Sequence, residues 1–243
     1  MELLFLGTGG SDWNGPDERG EYRRHASALL DNSLLIDLTG SVLDQIPDPA
    51  AVTDVFFIHS HDDHFDPEAL KVLAPRRVYA HESWADVLAG DGLTVVPLKT
   101  GVPVLAAGFT VVPMPSNHYA DRANETTLHY LIEKEGKRLL YATDGGWLTT
   151  RENQLIGTKT LDAIVFDATV GDGYSDDFQV FHHNSVEMIR LMRGALIKTG
   201  RLRETTPVFL THLSRVLHES QAVLERQLER PLIPCFDGMR IEI

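Results

Sequence analysis

The chain has 243 residues, 43% of them hydrophobic and 23% charged, enough for one sizeable core, and it reads as a single globular domain over residues 1–243. A formal charge of -13 argues against a broad electrostatic grip on nucleic acid, which depends on clustered Lys and Arg. The only cysteine, Cys235, excludes an internal disulfide and a thiolate metal cluster and suits a reducing compartment, so the expected location is the cytoplasm.

Residues 2–6 contain an apolar run of four residues stopped by Gly7, without the basic and long apolar regions of a signal peptide. They read as a strand. No uninterrupted apolar segment approaches the roughly 20 residues that span a bilayer, so a soluble protein with no membrane contact is expected. Further short apolar or alternating runs bounded by Gly, Pro, Asn or Asp predict strands over 33–37, 54–58, 77–80, 93–97, 109–113, 127–133, 138–142, 163–166, 207–210 and 239–243. Between two of these, the stretch Glu133-Lys134-Glu135-Gly136-Lys137 predicts a hairpin turn. Asp66-Pro67-Glu68 supplies a cap, a proline at the first helical position and an early acid, which predicts a short helix to Leu73. Further helices are expected over 83–88, over 185–199 with Asn184 or Ser185 as cap and Gly200 as stop, and over 214–230, ending at Pro231. Sheets covered by helices on their outer faces suit this pattern.

The chemistry concentrates in Phe56 to Phe65, FFIHSHDDHF. Val55-Phe56-Phe57-Ile58 is too continuously apolar for a half-exposed strand and is expected to be buried on both faces. His59 and His61 then project to one side of an extended chain, so two imidazoles can meet one cation. Asp63 and His64 follow where the chain turns toward the Asp66-Pro67 helix start, placed to face a second ion. Nitrogen and oxygen donors of this kind suit zinc, and also manganese or iron. Histidines in a loop are ordinarily solvated, but four potential ligands crowded behind a buried strand carry a desolvation cost that metal binding relieves.

HSHDDH resembles the signature of the metallo-β-lactamase fold superfamily, and the resemblance implies an α/β fold, a four-layer αββα sandwich with a dinuclear metal site along one edge of the sheets. FLGTGG resembles the family's opening strand and glycine turn. The later strand ends match in order: Pro115-Ser116-Asn117-His118, Tyr141-Ala142-Thr143-Asp144-Gly145 and Leu210-Thr211-His212-Leu213-Ser214. The resemblance implies two divalent ions per chain, the first held by His59, His61, His118 and Asp144 and the second by Asp63, His64, Asp144 and His212. Taken singly, His118 is equally a loop residue, Asp144 a turn former and His212 part of a helix cap region.

Within the superfamily the chain most resembles the phosphodiesterases that include tRNase Z and PhnP. Three stretches point to the PhnP side: Arg23-Arg24-His25-Ala26-Ser27 before a strand, Phe166-Asp167-Ala168-Thr169 with His182-His183-Asn184, and Phe236-Asp237-Gly238-Met239. In PhnP-like enzymes a histidine between the bridging aspartate and the last ligand lies near the substrate phosphate; His183 is the best match, with His182 as the alternative. The cysteines that give PhnP an extra structural zinc are missing, as is an obvious Gly- and Lys-rich arm of the long-form tRNase Z kind.

The expected activity is therefore hydrolysis of a small, cyclic or open, phosphate ester, with a hydroxide held between the two ions as nucleophile and Asp63 and His183 as catalytic side chains. A lactonase, a thioesterase, a tRNase Z-type enzyme on the same scaffold and a non-catalytic metal-binding protein are the alternatives. Nucleic acid is not an expected partner; the oligomeric state, a homodimer included, stays open. Arg23 and Arg24 could hold a phosphate or be ordinary surface residues, and Trp13 and Trp147 could shape a pocket or simply pack. His25, His81, His129 and His218 have no spacing that ties them to the array.

Overall fold

The computed structural model describes residues 1–89 and 92–243. One seven-stranded sheet contains β1 (Glu2–Gly7), β2 (Ser27–Leu30), β3 (Leu34–Ile36), β4 (Asp54–Phe56), β5 (Arg77–His81) and β6 (Thr94–Leu98), with β14 (Arg240–Glu242) on the outer side of β1. The other contains β7 (Val104–Ala106), β8 (Phe109–Pro115), β9 (Leu128–Lys134), β10 (Lys137–Ala142), β11 (Ala163–Asp167), β12 (Val208–Thr211) and β13 (Leu232–Pro234) in sequential order. In each sheet one half is antiparallel and the other parallel: β3 to β6 run parallel, and so do β10 to β13. Parallel neighbours bring their carboxyl ends to the same edge, and that is where an α/β sheet collects its functional loops.

Side-chain alternation divides the core into three layers. Leu3, Phe5, Leu34, Ile36, Phe56 and Ile58 point between the sheets, where they meet Tyr130, Tyr141, Val165 and Phe209. Their neighbours Leu4, Leu35, Val55 and Phe57 point outward and are covered by α1 (Pro67–Leu73) and short 3₁₀ turns. On the far face of the second sheet, Leu140, Ile164, Phe166 and Leu210 lie under α2 (Thr150–Ile156), α3 (Val186–Lys198) and α4 (Gln221–Gln227). The result is the four-layer αββα sandwich, and the run 55–58 is buried on both faces as its composition requires. No described helix is long and apolar enough to cross a membrane.

Local chemistry accounts for the elements that hold and for those that differ. Asp66 accepts from the Glu68 and Ala69 amides and caps α1 as expected. Ser185 caps α3 by accepting from the Met188 amide. Glu135 and Gly136, both at positive φ, form a two-residue hairpin loop between β9 and β10. The expected helix over 214–230 is reduced to α4, Gln221–Gln227. Before it, the Ser214 hydroxyl accepts from the Val216 and Leu217 amides, and His218 reaches the distant Ala168 carbonyl, so side-chain bonds replace the helical ladder. The expected helix over 83–88 is a 3₁₀ turn over Ala85–Leu88. The short strands β2, β7 and β13 lie outside the expected runs, as does the helix α2, which begins with a Thr149–Glu152 capping box.

Candidate metal centre

β4 leads into His59 through Phe57 and Ile58, while β8, β10 and β12 end just before His118, Asp144 and His212. All seven side chains expected as ligands meet at this edge. Donor atoms of His59, His61, His118 and Asp144 lie within 4.8 Å of one another, as do those of Asp63, His64, Asp144 and His212. Asp144 is shared: its Oδ2 stands 3.1 Å from Nε2 of His59 and of His64, and 3.3 Å from Nε2 of His118. His59 Nε2 is 2.7 Å from His61 Nδ1, as the alternation of the extended chain requires. Asp63 Oδ2 lies 3.3 Å from Nε2 of both His64 and His212.

The backbone at these positions is unusual for non-glycine residues. Asp37, Asp144 and His212 have φ of 59°, 60° and 57°, a left-handed conformation that persists when surrounding contacts demand it. Tight approach explains two glycines. A Cβ on Gly7 would lie 2.0 Å from the His25 carbonyl oxygen, and one on Gly145 would lie 2.8 Å from His129 Nε2. The Gly145-Gly146 turn is held by Asn184, which donates to the Gly145 carbonyl and accepts from the Trp147 amide. Asp144 and His183 are thereby fixed relative to each other.

A further ring of residues orients the cluster. Asp37 Oδ2 is 2.9 Å from His64 Nδ1, while Asp37 Oδ1 accepts from the Ile58 amide. Thr169 Oγ1 is 2.8 Å from His212 Nδ1, and Glu125 accepts from both the amide and the hydroxyl of Ser60, between His59 and His61. Asp167 accepts from the Gly145 amide and lies beside His183. The sequence alone gives none of these four carboxylate and hydroxyl residues a role. Asp167 and Thr169 belong to a stretch carrying the resemblance, whereas Asp37 and Glu125 have no local signal because their partners lie far along the chain.

Electrostatics follow the crowding. Burial takes His59 down to about 3, against the opposing pull of Asp144, so it is neutral at physiological pH. Burial also disfavours charge on His64, but Asp63 and Asp37 outweigh it and hold it well above the ordinary imidazole value. For His183 burial is likewise outweighed, by Asp167 and Asp144, which raise it to about 11. Asp144 is itself buried, yet His118, His212 and His183 keep it well below the usual carboxylate range. Buried Nε2 atoms of His64 and His118 and Oδ1 of Asp144 have no hydrogen-bond partner. Unpaired buried donors and acceptors are costly, and lone pairs converging from imidazoles and carboxylates fit divalent cations.

The remaining sequence candidates separate clearly. His183 joins the cluster, with Nδ1 3.1 Å from Asp144 Oδ1, whereas His182 offers its carbonyl to His118 and turns its ring toward Tyr119. Arg23 is buried, not a phosphate-holding surface residue: its guanidinium donates to Thr8 Oγ1, the Cys235 carbonyl and Gln221. Arg24 pairs with Asp44 and Asp237. Asp237, in the closing stretch, accepts from Thr8 Oγ1 and the Arg24 amide and braces the glycine turn. Trp13 packs inside and donates to the Leu213 carbonyl, while Trp147 is half exposed. His129 forms a buried pair with Glu152.

The model of the Beta-lactamase superfamily domain matches residues 35–202, a span that contains six of the seven clustered side chains. The chain belongs to this superfamily. Its members are mostly metal-dependent hydrolases, and the metallo-β-lactamase fold of the superfamily is the sandwich described above. Solved structures agree over the whole length. A diphosphatase from the PhnP family aligns with a TM-score of 0.75 at 19% identity, covering 100% of this chain and 96% of that one. The metallo-β-lactamase fold protein YhfI from Bacillus subtilis aligns at 0.75 and 16%, covering 99% of each chain. The short form of human tRNase Z aligns at 0.72 and 17%, covering 100% and 99%. At such identities these neighbours show the fold of the superfamily alone. No curated protein sequence matched the chain.

Proposed function

We propose that the protein is a metal-dependent phosphodiesterase acting on a small phosphate ester, cyclic or open. The observation that carries this reading is the pair of donor sets joined at Asp144, with His183 set against the same carboxylate. His59, His61, His118 and Asp144 would hold one divalent ion and Asp63, His64, Asp144 and His212 the other. The donor set has no thiolate, which is compatible with zinc, manganese or iron. A pair of such ions lowers the pKa of water and stabilises negative charge developing at phosphorus.

The protein's own groups complete the reaction. His183 is bound through Nδ1 to Asp167, 2.7 Å away, and its Nε2 makes no hydrogen bond among the described residues. The buried Asp167 carboxylate beside Nδ1 favours the protonated ring, and a proton on Nε2 can be delivered to the leaving alkoxide. Asp167 keeps the ring oriented and compensates its charge. Asp63 is a poor proton carrier, because His64 and His212 hold it well below the ordinary range in spite of burial. Its part is to bind, not to act as acid or base.

Purified protein supplied with zinc or manganese is expected to hydrolyse bis(p-nitrophenyl) phosphate and 2′,3′-cyclic nucleotides. Lactone and thioester substrates assayed in parallel should turn over poorly. Turnover of those and not of the phosphodiesters would overturn the proposal.

A further inference from the structure

A cleft of about 370 Å³ opens off the cluster, lined by His118 and His183 of the centre, by Asp12, and by Tyr119, Phe178 and His182. Rings lead outward from the centre: His118 meets His182 at 6.3 Å between centroids, and His182 meets Tyr119 at 6.4 Å, both edge to face. Tyr119 and Phe178 are 61% and 71% exposed, an amount of aromatic surface left facing water that a bound group would cover. The His118 side chain is only 6% exposed, and its unpartnered Nε2 belongs to the first donor set, so the inner end of the cleft opens directly onto the metal centre.

Away from the metal centre and the cationic His183, the only Asp, Glu, Lys or Arg lining the cleft among the described residues is Asp12. No Lys or Arg of the described residues lines it or the adjoining space, where Asp62 and Asp121 are the carboxylates outside the two donor sets. Asp12 Oδ2 accepts from Ser214 Oγ at 2.6 Å and from the Arg215 amide at 2.8 Å, and Asp12 Oδ1 is buried with no hydrogen-bond partner. Asp12 makes no ion pair among the described residues, so its charge acts on whatever enters. An anionic substituent there meets like charge, whereas a cation is attracted both by the carboxylate and by aromatic faces.

We propose that the juxtaposition of Asp12, Tyr119 and Phe178 beside the centre forms a subsite for the arm of the ester next to the phosphate, selecting a cationic group with an apolar surface, an aryl- or alkylammonium. The proposal rests on the phosphodiesterase reading, with the metal centre drawing the phosphate and the cleft drawing the cation.

Binding of non-hydrolysable benzylphosphonates, measured by calorimetry on the metal-loaded protein, tests it without requiring turnover. The probe with a para-trimethylammonium group should bind at least roughly tenfold tighter than its para-carboxylate counterpart. Asp12→Asn keeps the acceptor for Ser214 and should reduce that preference to about threefold or less. The double change Tyr119→Ala and Phe178→Ala should weaken the ammonium probe at least about fivefold while leaving methylphosphonate binding unchanged. Equal binding of the two probes, tighter binding of the carboxylate, or a preference unaltered by Asp12→Asn overturns the proposal. Retained preference in a protein that hydrolyses no phosphodiester would overturn the reading of the reaction and leave the cation subsite standing.

Discussion

His183 and Asp167 form a directed pair, with Nδ1 and Oδ2 2.7 Å apart and the carboxylate fully buried. Asp167→Asn removes the charge that holds the His183 proton and retains a similar shape. Turnover should fall about 100-fold or more, with both ions still bound. His183→Ala should behave likewise. Metal analysis alongside kinetics separates acid from ligand, because Asp144, Asp167, His183 and His212 also bring donor atoms within 4.8 Å of one another. Loss of an ion from His183→Ala would make it a ligand and remove it as the acid.

The bond from Asp37 to His64 should set affinity for the second ion. A carboxylate behind an imidazole fixes its tautomer and raises its basicity, so Asp37→Asn should weaken binding of that ion about 10- to 100-fold. Competition with a chromophoric chelator measures this. Unchanged affinity would show that His64 is oriented by packing alone.

Glu125 ties the loop leading from His118 to the turn that carries His59 and His61, by accepting at 2.8 Å and 2.6 Å from Ser60. Glu125→Ala should cost about 2 kcal/mol in denaturant unfolding. It should also weaken the first ion more than the second, with Glu125→Gln milder on both counts. Equal weakening of the two ions would contradict this local role.

Much of this architecture can be read in the sequence, for a physical reason. Runs such as 54–58 and 163–166 declare buried strands, and ligands placed directly after them inherit their position from the sheet edge. The period of two then assigns Leu35 and Val55 to the outer layer of their sheet and Ile36 and Phe56 to the layer between the sheets. Supporting groups are different. Asp37 is separated from His64 by 27 positions and Glu125 from Ser60 by 65, so only the folded chain relates them. The shortened last helix fails for a similar reason, since its competing bonds run from Ser214 to Asp12 and from His218 to Ala168.

His218 gives a prediction for acid pH. Burial lowers it from 6.5 to about 4, while its Nε2 donates to the Ala168 carbonyl. The unfolded chain takes up the proton first, so the stability His218 contributes is whole above pH 6.5 and is lost as pH falls toward 4, to a total of about 3 kcal/mol. In metal-free protein, His218→Gln should therefore lose less unfolding free energy than the parent between pH 7 and about 4.5. Parallel losses would show that His218 does not titrate in this window.

The central claim is a two-ion centre joined by Asp144 that hydrolyses phosphodiesters. Its most direct measurement is metal content by mass spectrometry on the same samples assayed with bis(p-nitrophenyl) phosphate, for the parent chain and Asp144→Ala. The parent should hold about two divalent ions and be active, while Asp144→Ala should hold about one or none and lose at least roughly 1000-fold in rate. A parent chain that binds no divalent ion, or an Asp144→Ala variant that keeps two ions and full activity, would contradict it.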